Sequence, residues 1–99
     1  MNSVAEPVTV RILEREYRVM CGPEQRRDLM ESALYLDQQM RQIRDGGRIS
    51  SMDKIAVMCA LNMAEEVLQL RQQLAERQQK VDQRLRDLAN RLDSVLPED

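Results

Sequence analysis

The sequence predicts an α+β chain: an N-terminal β-hairpin plus an amphipathic helix forming a small head, followed by a long C-terminal coiled-coil helix. Three observations carry that prediction. Val8, Val10 and Ile12, and again Tyr17, Val19 and Cys21, alternate with polar neighbours at the period of half-buried strands. Leu29, Ala33, Leu36, Met40 and Ile43 then recur at the threes and fours of a helix face. From Ile49 to Leu96 there is neither glycine nor proline, and Gly46-Gly47 and Pro97 bracket that stretch.

The elements follow in order. Residues 1–6 read as a short frayed lead. The two alternating runs form a hairpin whose turn is Leu13-Glu14-Arg15-Glu16, without the glycine that a tight turn prefers. A lone hairpin is marginal in water and needs a helix on one face. Gly22-Pro23 opens that helix, with Pro23 in the first turn and Glu24 complementing the dipole. Met30 and Leu34 widen its apolar stripe, and Gly46-Gly47 end it after five or six turns. Ser50 and Asp53 fit a capping box, so the long helix should start near Ser51.

Its first part, from Ile55 to Leu70, is apolar nearly all round, as in a buried helix. One face can cover the head; the others need a second subunit. Beyond Arg71 the pattern narrows to Leu74, Val81, Leu85, Leu88, Leu92 and Val95, at steps of 7, 4, 3, 4 and 3. With Val81, Leu88 and Val95 at d, Leu85 and Leu92 sit at a, and so do the polar Gln78 and Arg71. One helix through this stretch is about 65–70 Å long at 1.5 Å per residue, longer than any core a small domain can build. The chain therefore divides into a head, 1–70, and a coiled-coil extension, 71–99, and its seam predicts self-association.

Composition narrows the function. The net charge is −2 with 32% charged residues of both signs, which gives no overall attraction to nucleic acid or anionic lipid. Tyr17 and Tyr35 are the only aromatics, too few for a base-stacking platform. Histidine is absent, which removes the usual general base and the commonest metal ligand, and no cofactor is expected. Cys21 and Cys59 sit far apart in apolar contexts and read as buried thiols. No apolar run approaches the length of a membrane span. Ser51-Met52-Asp53-Lys54 has the letters of an acyl-transfer motif, but its serine lies where a helix cap belongs and the companion motifs are missing. Nothing here reads as an enzyme.

Arg15, Arg18, Arg41, Arg44, Arg48 and Lys54 are concentrated in the head among Asp37, Asp45 and Asp53. A solvated surface and a binding patch both fit, and mixed charge suits a protein partner better than a phosphate backbone.

SMDKIAVMCALN, Ser51 to Asn62, is similar to the R-I/V-A-V-M-A-A-L-N stretch that opens the long helix of the ZapA family of bacterial cell division proteins. YRVMC at 17–21 with GPE at 22–24 resembles its second strand and helix start. ALYLDQQMRQIR, Ala33 to Arg44, resembles its first helix, with L-D-x-x-M-R-x-I-R spacing. The likeness covers about residues 8–70, and beyond that only the pattern is shared. Glu14-Arg15 stands where the family commonly has Gly-Arg in the turn, which leaves the turn geometry open; Lys54 and Cys59 replace commoner Arg and Ala.

The resemblance implies a non-enzymatic cytoplasmic partner of FtsZ, the acidic tubulin-like GTPase of the division ring. It implies heads paired into a homodimer, and dimers joined through antiparallel coils into a homotetramer that crosslinks filaments. Arg15, Arg44 and Arg48 match basic positions of the family's head, and with Asp53 and Lys54 they are the expected FtsZ-binding residues. Leu74, Val81, Leu85, Leu88, Leu92 and Val95 are the expected oligomerisation residues. Neither nucleic acid nor membrane is an expected partner. A strand-helix-helix DNA-binding dimer and a generic coiled-coil adaptor are the alternatives.

Overall fold

The computed structural model describes residues 4–47 and 51–97. Strand β1 (Glu6–Ile12) pairs antiparallel with β2 (Arg15–Cys21), a one-turn 3-10 helix spans Pro23–Gln25, and helices α1 (Arg26–Gly46) and α2 (Met52–Asp93) follow. The chain forms two compact units, Met1–Asn62 and Met63–Asp99.

The hairpin has the sidedness its alternation predicts. In register, Val8 faces Val19, Val10 faces Tyr17 and Ile12 faces Arg15, so these residues share one surface of the pleat. Val10 and Cys21 are buried there, and α1 packs against β1. The other surface is polar toward the turn, where Thr9 lies opposite Arg18 and Arg11 Nη2 is 3.0 Å from Glu16 Oε1. At its open end it is apolar, with Pro7 opposite the exposed Met20. The Arg11–Glu16 pair is exposed at both ends, so it adds little to stability.

The turn differs from the expectation. It consists of Leu13 and Glu14 alone, and Arg15 and Glu16 already belong to β2. Both turn residues have left-handed backbones, φ 48° for Leu13 and 68° for Glu14, as a two-residue hairpin turn of the right twist requires. For residues with a Cβ this costs about 1–2 kcal/mol each. Leu13 is only 8% exposed, and burying a leucine contributes about 1.5–3 kcal/mol, enough to offset the strain at its own position. A turn residue is thus part of the core.

On α1, Ala33 and Met40 are buried and Leu29, Leu36 and Ile43 are partly covered, the face that the spacing predicts. Met30 and Leu34, which widen the stripe in sequence, stay exposed. The helix runs through Gly46 to an extended Gly47. The Ser50 half of the expected capping box lies outside the described residues. The expected start is nonetheless met, since Ile55 N–H donates to the Ser51 carbonyl at 3.0 Å and α2 begins at Met52.

Ile55 and Cys59, one turn apart on α2, are the most deeply buried side chains of the described residues. Val57, Met58 and Leu61 on the same stretch are exposed, so the head covers one face of this apolar segment. At the far end the regular helix stops at Asp93, short of the expected Leu96. The Ser94 hydroxyl donates to the Asn90 carbonyl at 2.7 Å, a local bond that competes with helix continuation.

Cys21 and Cys59 are buried thiols, not a disulfide, as their apolar contexts predict. Both should therefore resist a thiol reagent in native buffer and react at once in denaturant. Rapid native labelling of either would remove it from the core.

Candidate functional site

Two features qualify, one in each unit. The first is the hairpin tip. Asp37, one position along α1 from the core residue Leu36, is 16% exposed at its side chain. Its Oδ1 accepts the Leu13 backbone N–H at 2.8 Å, which satisfies a donor at the strained turn. Its Oδ2 accepts from Arg41 Nε at 2.9 Å, a charge-assisted bond one helical turn on. Arg41 Nη1 reaches Glu14 Oε1 at 3.5 Å, and Arg44 Nη1 reaches the same oxygen at 3.8 Å. Arg44 Nε also donates to Asp45 Oδ1 at 3.1 Å. Asp37, Arg41 and Arg44 fall on one side of α1 because they are three and four residues apart. The hairpin tip is thus held onto α1 by the Asp37 carboxylate, with the two guanidinium groups placed beside Glu14.

The electrostatics agree with the geometry. The hydrogen bond from Arg41, then that from the Leu13 N–H, hold the Asp37 carboxyl below its ordinary value, against the opposing effect of burial. Asp37 in turn raises the Arg41 guanidinium above its ordinary value, so the pair is ionised throughout the neutral range.

Of the predicted head residues, Arg15 is exposed at the start of β2, next to the tip, and has no ion pair among the described residues. Arg44 is 34% exposed at its side chain and already engaged with Glu14 and Asp45. Arg48 lies outside the described residues. Asp53 and Lys54 are exposed on the first turn of α2 and line a shallow depression with Val57 and Met58. No ion pair among the described residues joins either of them to the arginines at the tip. In the sequence, Asp37 reads only as a nearby charge. What could have marked it is its position beside the apolar stripe, with arginines four and seven residues on.

The second feature is the seam on α2. Leu74, Val81, Leu85, Leu88, Leu92 and Val95 are 50–72% exposed, and Val95 lies just past the regular helix. Polar residues interrupt and border the stripe: Gln78, itself in the seam register, donates to Asp82, and Gln83 donates to Asp87, both at 3.1 Å, pairs one turn apart. No group of three or more Cys, Asp or Glu among the described residues is placed to hold a metal, and no helix of these residues is long and apolar enough to cross a membrane.

A two-stranded hairpin packed on a 21-residue helix and followed by a 42-residue helix with an exposed apolar stripe defines an α+β protein. The family model described as Cell division protein ZapA matches residues 8–92. A Cell division protein ZapA of Pseudomonas aeruginosa is 36% identical over 94 residues, covering 95% of this chain and 90% of that relative. One of Pectobacterium atrosepticum is 30% identical over 94 residues, covering 95% and 86%. Among solved structures, a protein described as an unknown conserved bacterial protein from Pseudomonas aeruginosa superposes with a TM-score of 0.71 at 35% identity, covering 92% of this chain and all of that one. The chain belongs to the ZapA family of cell division proteins. The resemblance read in its three segments therefore holds across nearly the whole length.

Proposed function

We propose that this protein binds FtsZ and crosslinks its filaments at the division site in the cytoplasm, as a non-enzymatic homo-oligomer with heads at both ends. The observation that carries this reading is the uncovered seam. Six large apolar side chains at coiled-coil spacing lie at least half exposed, five of them on α2 and Val95 just past its end, which is uncommon for a chain that stays alone. Each contributes roughly 1.5–3 kcal/mol when a second helix covers it, enough to outweigh polar Arg71 and Gln78 in the same register. The head leaves Tyr17, Met20, Leu34, Val57 and Leu61 exposed as well, and pairing of heads would cover such residues. Two kinds of uncovered surface, one in the head and one in the coil, are what a dimer of heads joined into a tetramer through coils requires. The exposed charge of the head supports a protein partner, with Arg15, Arg44, Arg48, Asp53 and Lys54 as the proposed contacts.

Co-sedimentation with polymerised FtsZ tests the reading. Arg15 has no ion pair to lose among the described residues, so Arg15→Asp should leave the head folded and the oligomer intact. It should weaken pelleting with filaments by roughly fivefold or more, the factor that corresponds to about 1 kcal/mol. Raising salt toward about 0.5 M should weaken the unaltered protein too, because screening is then strong. Unchanged pelleting after charge reversal at Arg15 would move the contact elsewhere on the head. Absence of pelleting by the unaltered protein would sink the FtsZ reading itself.

A further inference from the structure

At the hairpin tip a carboxylate of the chain itself faces two guanidinium groups. Arg41 and Arg44 each commit Nε to an acidic residue of their own helix, Asp37 and Asp45, and each directs Nη1 at a single oxygen of Glu14. Those two separations, 3.5 and 3.8 Å, are longer than the roughly 2.7–2.9 Å of a well-made charge-assisted bond. Glu14 is also 71% exposed at its side chain, so its hold on the arginines is weak. Its backbone is fixed by the turn at φ 68°, and Leu13 beside it is buried and bonded to Asp37. The carboxylate is therefore kept beside the arginines by the chain, whether or not the ion pairs form. A tethered group of this kind competes at a high effective concentration with anything that arrives from solution.

We propose that Arg41 and Arg44 form a cradle for carboxylate side chains of an acidic protein segment, and that Glu14 fills it in the free protein as a built-in competitor. The natural occupant rests on the FtsZ reading above; the cradle itself does not. An arriving acidic segment displaces Glu14, and Glu14 then repels it from the edge of the site. Glu14 thus lowers affinity in the unbound protein and gives a salt-sensitive, readily reversible contact.

The test uses the full-length protein and a fluorescein-labelled oligoglutamate peptide, followed by anisotropy at low ionic strength. Glu14→Gln keeps the side-chain length and removes the charge, and it should bind the peptide about threefold to tenfold tighter, the range for losing two exposed ion pairs. Glu76→Gln, which makes the same change in net charge on the exposed surface of α2, should stay within about twofold of the unaltered protein. Glu14→Gln combined with Arg44→Gln should lose the gain. If the glutamine variant folds poorly, Glu14→Gly relaxes the left-handed backbone, removes the same carboxylate and must show the same gain. No gain in the folded variant, an equal gain in Glu76→Gln, or a gain that survives loss of Arg44 overturns the cradle. Pelleting with FtsZ filaments run in parallel separates the two readings. An unaltered protein that never pellets counts against FtsZ alone, and one that pellets without any gain from Glu14→Gln counts against the cradle alone.

Discussion

In the tetramer proposed above, Leu85→Glu should split the assembly to dimers while the head stays folded. Leu85 sits centrally in the α2 seam and is 58% exposed in the single chain, so it belongs to no core there. In a coiled coil it would occupy an a position with a partner leucine or valine against it. A glutamate there forfeits the burial of a leucine, roughly 1.5–3 kcal/mol, and adds the cost of taking a charge out of water. Every copy in the oligomer carries the change, so the penalty is repeated at each seam. Light scattering should show the lower mass, with near-native melting of the head and some loss of helix signal from an unpaired α2. An unchanged mass would show that the register assigned to the seam is wrong. Loss of helix without dissociation would instead place Leu85 in a core. In filament assays the same variant should retain binding and lose most bundling, the reverse of Arg15→Asp.

The second large effect is expected at Asp37. Asp37→Ala removes the acceptor of the Leu13 N–H and the partner of Arg41 together, leaving a partly buried donor at a strained turn without its bond. The melting temperature should fall by several degrees, and the Leu13 amide should exchange with solvent faster by hydrogen-exchange measurement. Asp37→Asn keeps a carbonyl for the Leu13 N–H and loses only the charge, so it should lie between the alanine variant and the unaltered protein. Equal melting in all three would mean that the tip is held by the burial of Leu13 alone. The dependence on pH has a definite sign. Because the folded protein holds this carboxyl below its ordinary value of 3.8, the unfolded chain takes up the proton first on acidification. The stabilisation from Asp37 is complete above that value and is lost as pH falls through the lower value of the folded state. Melting followed from about pH 7 to about pH 3 should show this acid-side loss in the unaltered protein and a shallower one in Asp37→Asn.

Charge reversal at Arg15 and removal of the Glu14 carboxylate probe the same tip from opposite directions. The first takes away an exposed attractive charge, and the second takes away an internal repulsive one. If the head meets its partner through carboxylates, they should move affinity in opposite senses at equal salt. Both effects should shrink together as screening rises, since all the charges concerned are exposed or half-exposed.

Local pattern determined much of this protein. The period-two runs at 8–12 and 17–21, the face from Leu29 to Ile43 and the uninterrupted stretch after Gly47 each express a repeat that one element satisfies by itself, so each was legible in the sequence. The same holds for the buried thiols, whose apolar neighbours are adjacent in the chain. The tip was not legible, because its contacts join residues about 24 apart and depend on a backbone sign that no side-chain pattern reports. Leu13 reads as an awkward turn residue until the fold shows it buried, and Asp37 reads as one acid among several until its oxygens meet the Leu13 amide and Arg41. Arg44 reads as an open basic group, yet the structure engages it with Glu14 and Asp45. Sequence determines which elements form, since periodicity and punctuation act within a few residues. Only the tertiary structure decides which charges are already spent on one another, since that depends on distances between separate elements.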